Sequence, residues 1–184
     1  LNMALLAGEV YRDGVATVKA HPDTYEGVPG GSVLINLGDE RDIRWSVNNF
    51  EVSEGRTNFP VRVTWFGAIA FAQHYGYDLP TEAEWEKAAR GPEHEDQDTH
   101  LVYPWGNTLS TGNANYHGSG DPWEKAVQWN TSEFRTVSPV GYYDGNQTPF
   151  GFFFFKQKTA YEMIGNLSEW TRTTWANSVE SYPQ

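Results

Sequence analysis

The chain has 184 residues, a length that suits one domain with a buried core. Its formal net charge of -11 argues against binding to nucleic acid or to an anionic membrane surface, because both need clustered Lys and Arg. The absence of cysteine excludes disulfides, thiolate metal ligands and thiol nucleophiles within these residues. Abundant aromatic residues and 18 Gly with 10 Pro are typical of an irregular, loop-rich fold with an aromatic core.

The N-terminal part is predicted to hold a short helix and short strands. Residues 2–7 fit a helix that Gly8 stops, and residues 33–36 fit a strand. Residues 44–52 alternate apolar and polar side chains, with a break at residues 48–49. The stretch between this helix and the first predicted strand is weakly patterned, and no definite element is predicted there.

The first clear helix follows an extended segment at residues 60–64. Apolar side chains then recur at the spacing i, i+3, i+4, i+7, which is one face of a helix. They are Trp65, Ala68, Ile69 and Ala72. Gly76 follows as a stop signal, so the helix is predicted to end before it.

A second clear helix begins with a capping box. Thr81 can accept a hydrogen bond from the backbone N–H of Glu84, and the Glu84 carboxylate can reach back to the N–H of Thr81. The predicted buried stripe of this helix is Trp85, Ala88 and Ala89. The acidic side chains of its first turn, residues 82–86, are predicted to interact with the helix dipole and solvent rather than to act as acids or bases.

Few regular elements are predicted after residue 92. The acidic run at residues 93–98 is interpreted as a solvated loop rather than a metal site. Residues 103–107 predict an aromatic turn, and residues 139–143 predict a short strand.

One segment, residues 152–163, does not fit the rest of the sequence. It reads FFFFKQKTAYEM and resembles the translation of a DNA-sequencing adapter, a T-run followed by CAAGCAGAAGACGGCATACGAGAT. We interpret it as an assembly scar to be set aside in fold reasoning. A natural aromatic loop is the alternative.

A series of short strings occurs in order along the chain. They are PVRVTW at 60–65, LPTEAEWEKAARG at 79–91, YPWGN at 103–107, AN at 114–115, SPVG at 138–141 and GNLSEWT at 165–171. The ordered set resembles the formylglycine-generating enzyme (sulfatase-modifying factor) family, and LPTEAEWE is its most specific part. The resemblance extends from about residue 33 to residue 171.

The resemblance implies a fold and an activity. The family fold is a variant of the C-type lectin fold, α+β with little regular secondary structure. Active members oxidise a cysteine of a client sulfatase to formylglycine, using oxygen and copper held by two cysteines in their C-terminal part. Because residues 1–184 contain neither those cysteines nor the Arg-Gly-Gly-Ser-Trp stretch before them, we expect a fragment of a single incomplete domain without the catalytic region.

The resemblance also implies structural calcium at a first site. This site would use Asn115, the carbonyl of Tyr116 and the region 132–134, with Phe134 among its members. Ser132 stands where the family has an acidic ligand, which weakens the match at this site.

A second calcium site is implied at the Gly-Asn loop. It would use the carbonyls of Ile164, Gly165 and Leu167 and the carboxylate of Glu169. Calcium is a hard cation that takes about six to eight oxygens. A loop containing Gly165 and Asn166 can turn its carbonyls inward, so the oxygen set is chemically sensible.

Two functions stay open at this point. The chain is either part of a formylglycine-generating enzyme or a non-catalytic lectin-like module that binds a ligand or protein, since fold alone does not fix function. A sulfatase polypeptide is the expected partner of the first. We expect a bacterial protein, and both a cytoplasmic and an exported location stay open.

The scar hypothesis makes a direct prediction. Removing residues 153–160 would leave Gly-Phe-Tyr-Glu-Met before the Gly-Asn loop, close to the family's Gly, two large apolar residues, Asp, Met. Resequencing the source locus is therefore expected to show no codons for the inserted residues. A clean read that retains them contradicts the hypothesis.

Overall fold

The structure, a computed structural model, describes residues 1–38, 42–90, 102–103, 105–116, 118–127, 137–143 and 165–173. The described elements are α1 (Asn2–Leu6), β1 (Val10–Asp13), β2 (Thr17–Ala20), β3 (Val33–Asn36), β4 (Ile43–Ser46), β5 (Asn49–Val52), α2 (Trp65–His74), α3 (Glu82–Arg90) and α4 (Pro122–Val127). Short helices and small antiparallel sheets confirm the α+β class with little regular structure.

The chain divides into two compact units, Leu1–Leu79 and Pro80–Gln184. The prediction of one incomplete domain over residues 1–184 stays a prediction, since such units occur within one domain as well as in two. The proposed scar at residues 152–163 lies outside the described residues, as does the acidic run at 93–98.

The first unit is built on a three-stranded antiparallel sheet in the order β1-β2-β3. Val10 pairs with Ala20, and a register shift between Val18 and Lys19 interrupts the pairing of β2 with β3. β4 and β5 form a separate hairpin with its turn at residues 47–48, so the break predicted at residues 48–49 overlaps the turn and the first residue of β5. The prediction of an aromatic core is wrong for this unit, because its buried core is mainly aliphatic around two rings. The core residues are Ala4, Val10, Val18, Ala20, Tyr25, Val28, Leu34, Ile35, Phe50, Ile69 and Ala70.

Helix α2 is attached to β3 through its N-cap. The Thr64 hydroxyl accepts from the N–H of Gly67 at 3.0 Å and lies 2.6 Å from the carbonyl of Val33, to which it donates. The backbone N–H of Thr64 donates to the carbonyl of Leu34 at 3.0 Å. These bonds give hydrogen-bond partners both to carbonyls of β3 and to the N-terminus of α2, and so place the helix directly against the strand.

A polar cluster joins the other end of α2 to β1. Glu9 accepts a hydrogen bond from the hydroxyl of Tyr25 at 2.8 Å and lies 2.6 Å from Nδ1 of His74. Although burial acts to raise it, these two hydrogen bonds hold the pKa of Glu9 below its ordinary value. Burial raises the pKa of Tyr25, and its hydrogen bond to Glu9 raises that pKa further.

The remaining differences from the sequence predictions concern individual elements. β1 and β2 were not predicted, because their weak pattern becomes a sheet only through mutual pairing. Residues 139–143 form a turn, with the N–H of Tyr142 donating to the carbonyl of Pro139, rather than a strand. In α3, Ala89 is buried as predicted, whereas Ala88 is exposed although it too lies within one turn of Trp85.

Replacing Gly67 by Ala tests the contact of α2 with β3. A Cβ at this position would collide with the carbonyl oxygen of Leu34. In an exposed helix the same change gains about 1 kcal/mol of stability, whereas here we expect a loss of about 1–3 kcal/mol from overpacking. Urea unfolding followed by circular dichroism measures the difference.

Phe71→Ala is the control on the outer face of the same helix, where the Phe71 side chain is 67% exposed. It is expected to change the unfolding free energy by less than about 0.5 kcal/mol. Greater stability of Gly67→Ala than of the unsubstituted chain would contradict the close approach.

Candidate functional site

A cleft of about 650 Å³ lies in the second unit. Its lining residues come from α3, the 115–116 segment and the Gly-Asn loop, and are Glu82, Trp85, Asn115, Tyr116, Gly165, Asn166, Leu167, Ser168, Glu169 and Thr171. The predicted calcium ligands among them are Asn115, Tyr116, Gly165, Leu167 and Glu169. The structure therefore brings described members of both predicted sites to one cleft, while Phe134 and Ile164 lie outside the described residues.

Asn166 joins the Gly-Asn loop to two other segments. Its backbone N–H donates to the carbonyl of Asn115 at 3.0 Å, and its Oδ1 accepts from Nδ2 of Asn115 at 3.1 Å. The same amide accepts from the N–H of Ser138 at 2.8 Å and donates to the Ser138 carbonyl at 3.1 Å. One side chain thus fixes three segments that are distant in sequence.

The backbone of the loop explains why Gly and Asn stand at these positions. Gly165 has φ +78° and Asn166 has φ +61°, both in the left-handed region that Gly and Asn tolerate best. A Cβ at Gly165 would also collide with the carbonyl oxygen of Asn115. The Gly-Asn pair is therefore required both by conformation and by the close approach of two backbones.

Helix α3 supports the opposite wall of the cleft. The predicted capping box is confirmed: the N–H of Thr81 donates to Glu84 at 2.8 Å, and the N–H of Glu84 donates to the Thr81 hydroxyl at 3.2 Å. The indole Nε1–H of Trp85 donates to Oε2 of Glu169 at 2.6 Å. The helix start and the Glu169 carboxylate are thus fixed relative to each other.

Two further hydrogen bonds join the start of α3 to the segment that follows Glu169. The N–H of Glu82 donates to the hydroxyl of Thr173 at 2.9 Å, and the N–H of Arg172 donates to the carbonyl of Pro80 at 2.8 Å. Helix N-termini leave their first N–H groups without partners inside the helix, and Thr173 satisfies one of them. Residues 169–173 therefore lie along the start of α3.

Asp121 is the buried anchor beneath the 115–116 segment. It has no exposed surface, and its carboxylate accepts from the backbone N–H groups of Tyr116, Trp123 and Glu124 at 2.8–3.2 Å. The hydroxyl of Tyr143 donates to it at 2.5 Å. Asp121 thereby caps α4 and holds Tyr116 at the cleft wall.

Glu124 is a second buried carboxylate, with 5% of its surface exposed. It accepts from the N–H of Gly118 at 2.5 Å and from the N–H of Gly120 at 2.6 Å. Backbone donors of the segment that precedes α4 thus compensate for the burial of this carboxylate. Sequence reasoning missed both carboxylates, although Asp followed by Pro at the first position of a helix is a recognisable start signal.

Tyr116 contributes a ring to the cleft wall. Its hydroxyl is buried and has no hydrogen-bond partner within the part of the chain that the structure describes. Burial, with a smaller electrostatic effect of Tyr103, raises the pKa of Tyr116 to about 12. The phenol is therefore neutral at ordinary pH.

The cleft offers oxygen donors of several kinds. Across the described ranges, no group of three or more His, Cys, Asp or Glu side chains is arranged to hold a metal ion. The carboxylates among the lining residues are those of Glu82 and Glu169, and the side-chain amides are those of Asn115 and Asn166. None of the helices in the described ranges is long and apolar enough to cross a membrane.

Comparison with known proteins places the chain in a family. The family model for the sulfatase-modifying factor enzyme 1-like domain matches residues 15–182. The chain therefore belongs to the sulfatase-modifying factor family.

Its relatives carry several names. The chain is 34% identical over 131 residues to the formylglycine-generating enzyme of Mus musculus, which covers 68% of this chain and 30% of that protein. It is 34% identical over 122 residues to the inactive C-alpha-formylglycine-generating enzyme 2 of Bos taurus, covering 65% and 35%. It is also 34% identical over 138 residues to the serine/threonine-protein kinase pkn1 of Chlamydia caviae, covering 74% and 17%. The chain thus spans between 17% and 35% of the length of these relatives.

The two tyrosines near the cleft form a matched test of its packing. Tyr143→Phe removes a hydrogen bond to a buried carboxylate, so we expect a loss of about 1.5–3 kcal/mol of unfolding free energy. Tyr116→Phe removes a buried hydroxyl without a partner, so its effect should be near zero or stabilising. Urea unfolding of both variants measures the difference, and equal losses would contradict the assigned contacts.

Proposed function

We propose that this chain is a calcium-stabilised part of a formylglycine-generating-enzyme-like protein with a lectin-like fold. The main observation in support of this proposal is the cleft in which the Gly165–Glu169 loop, Asn115 and Tyr116 meet. In this proposal calcium fixes the conformation of the Gly165–Glu169 loop, and the ordered loop in turn stabilises the folded state of the protein. The substrate of the whole protein is a cysteine of a sulfatase polypeptide, which is oxidised to formylglycine.

The donor chemistry of the cleft suits calcium. Glu169 would supply a carboxylate, Gly165 and Leu167 would supply backbone carbonyls, and Asn115 and Tyr116 would supply an amide oxygen and a carbonyl. All are oxygens, which hard divalent cations prefer. The left-handed backbone at Gly165 is the conformation that lets a short loop redirect its carbonyls.

Support for the oxidative reaction comes from relatives and not from residues of this chain. Relatives from Mus musculus and Bos taurus carry the name formylglycine-generating enzyme. Since the 184 residues contain no cysteine, they supply no thiol to hold copper. In this proposal the copper-binding cysteines and the oxidation belong to a part of the protein outside residues 1–184.

The second candidate is a non-catalytic binding module. It is favoured by a specific observation: the same domain matches a relative named inactive and a kinase in which it forms a small part of the chain. Family membership is thus shared by proteins with different names, and fold does not decide activity. Reading the gene past Gln184 discriminates, since two spaced cysteines favour oxidation and their absence favours the module.

Calcium removal tests the proposal on the chain as it stands. Adding a chelator should lower the melting temperature, and excess Ca²⁺ should restore it, because a cation that binds only the folded state stabilises it by mass action. At a free concentration of about 100 Kd the gain is about 2.7 kcal/mol. Differential scanning calorimetry with and without chelator measures it.

Glu169→Gln should abolish most of this calcium response while keeping an oxygen that can accept from Trp85. Glu86→Gln is the matched control, because it removes one carboxylate from α3 without altering a residue that lines the cleft. An equal response in all three chains, or no response in the unsubstituted chain, would refute the calcium site.

A further inference from the structure

We propose that Trp85 is a positioning residue for the cation-binding carboxylate of Glu169. The inference rests on the proposed calcium site and adds to it a residue that is not itself a ligand. Its indole N–H holds the carboxylate in the orientation that a cation needs. Cation binding at the Gly-Asn loop is thereby coupled to helix α3.

The geometry of the pair carries this assignment. The Nε1 of Trp85 lies 2.6 Å from Oε2 of Glu169, across 84 residues of sequence. A hydrogen bond to an ionised carboxylate is stronger than one between neutral groups. Because one oxygen is held by a donor on a rigid ring, rotation of the carboxylate is restricted before any cation arrives.

The indole can serve as a fixed reference only if its own helix is fixed. The capping box of Thr81 and Glu84 defines the start of α3, one turn before Trp85. The contacts of Glu82 with Thr173 and of Arg172 with Pro80 then tie this start to the segment that follows Glu169. Helix and loop are thus joined by two further hydrogen bonds at the start of α3.

A hydrogen bond of this kind could also have a purely structural role, and the two roles differ in what they predict. A structural bond stabilises the fold equally with and without calcium. A positioning bond changes the affinity for calcium, and partners that orient metal ligands typically change affinity by about 10- to 100-fold. Calcium affinity is therefore the discriminating quantity.

The first experiment is isothermal titration of the 184-residue chain with Ca²⁺. Trp85→Phe keeps a ring but removes the N–H, and we expect about a 10-fold weaker Kd. Trp105→Phe is the matched control, because it also removes an indole N–H, which donates to the carbonyl of Thr108 at 3.0 Å outside the cleft. When Trp85→Phe is added to Glu169→Gln, we expect no further loss of calcium affinity, since the two residues act through one contact.

The second experiment does not require the Trp85 variant to be well folded. In the unsubstituted chain, the indole N–H resonance of Trp85 should shift on addition of Ca²⁺ in a proton–nitrogen NMR spectrum. The same resonance should stay unchanged in Glu169→Gln. An unmoved resonance in a chain that binds Ca²⁺ would overturn the positioning role.

The outcomes separate the two proposals. Calcium binding with equal affinity in the unsubstituted chain and in Trp85→Phe overturns the role of Trp85 but leaves the calcium site standing. Absence of calcium binding in the unsubstituted chain overturns both. A weaker Kd in Trp85→Phe and not in Trp105→Phe supports the role of Trp85.

Discussion

The organisation of the second unit depends on the amide side chain of Asn166. This one group exchanges hydrogen bonds with Asn115 and with both backbone groups of Ser138, while its own N–H donates to the carbonyl of Asn115. The described ranges of this unit contain little regular secondary structure to hold its segments in place. A side-chain amide that both donates and accepts replaces the sheet pairing that would otherwise join them. The cleft exists because these segments meet there.

Buried carboxylates perform a similar task beneath the cleft. Asp121 and Glu124 lie almost entirely out of solvent, and their recorded partners are backbone N–H groups and hydroxyls. Burying a carboxylate is costly unless hydrogen bonds compensate. The N–H groups of Gly118 and Gly120 donate to Glu124, and those of Tyr116, Trp123 and Glu124 donate to Asp121. These two carboxylates thereby hold the residues that precede α4 in place. The position of Tyr116 at the cleft wall follows from its N–H bond to Asp121.

The first unit is held by a different balance. Its sheet and α2 enclose an aliphatic core, and polar contacts at the two ends of the helix, through Thr64 and His74, fix the helix on that core. Hydrophobic burial drives the folding of the first unit, whereas directional hydrogen bonds determine how the segments of the second unit are arranged. The two units thus illustrate two ways to order short elements. Each unit contains a helix whose N-terminus is capped by a threonine, Thr64 in the first unit and Thr81 in the second.

The sequence by itself determined the features whose causes are local. Thr81 and Glu84 specify a capping box within one turn, the 65–74 helix follows from apolar spacing, and the lack of cysteine excludes thiol chemistry in these residues. The family motifs also contain several residues that line the cleft, among them Trp85, Asn115 and Glu169. Only the tertiary structure decided that Asn115 meets Asn166, that Trp85 meets Glu169 and that β1 pairs with β2. The first two contacts join residues far apart in sequence, and the two strands have patterns too weak to predict singly. These contacts stabilise the protein only once the chain has folded, so the sequence alone does not reveal them.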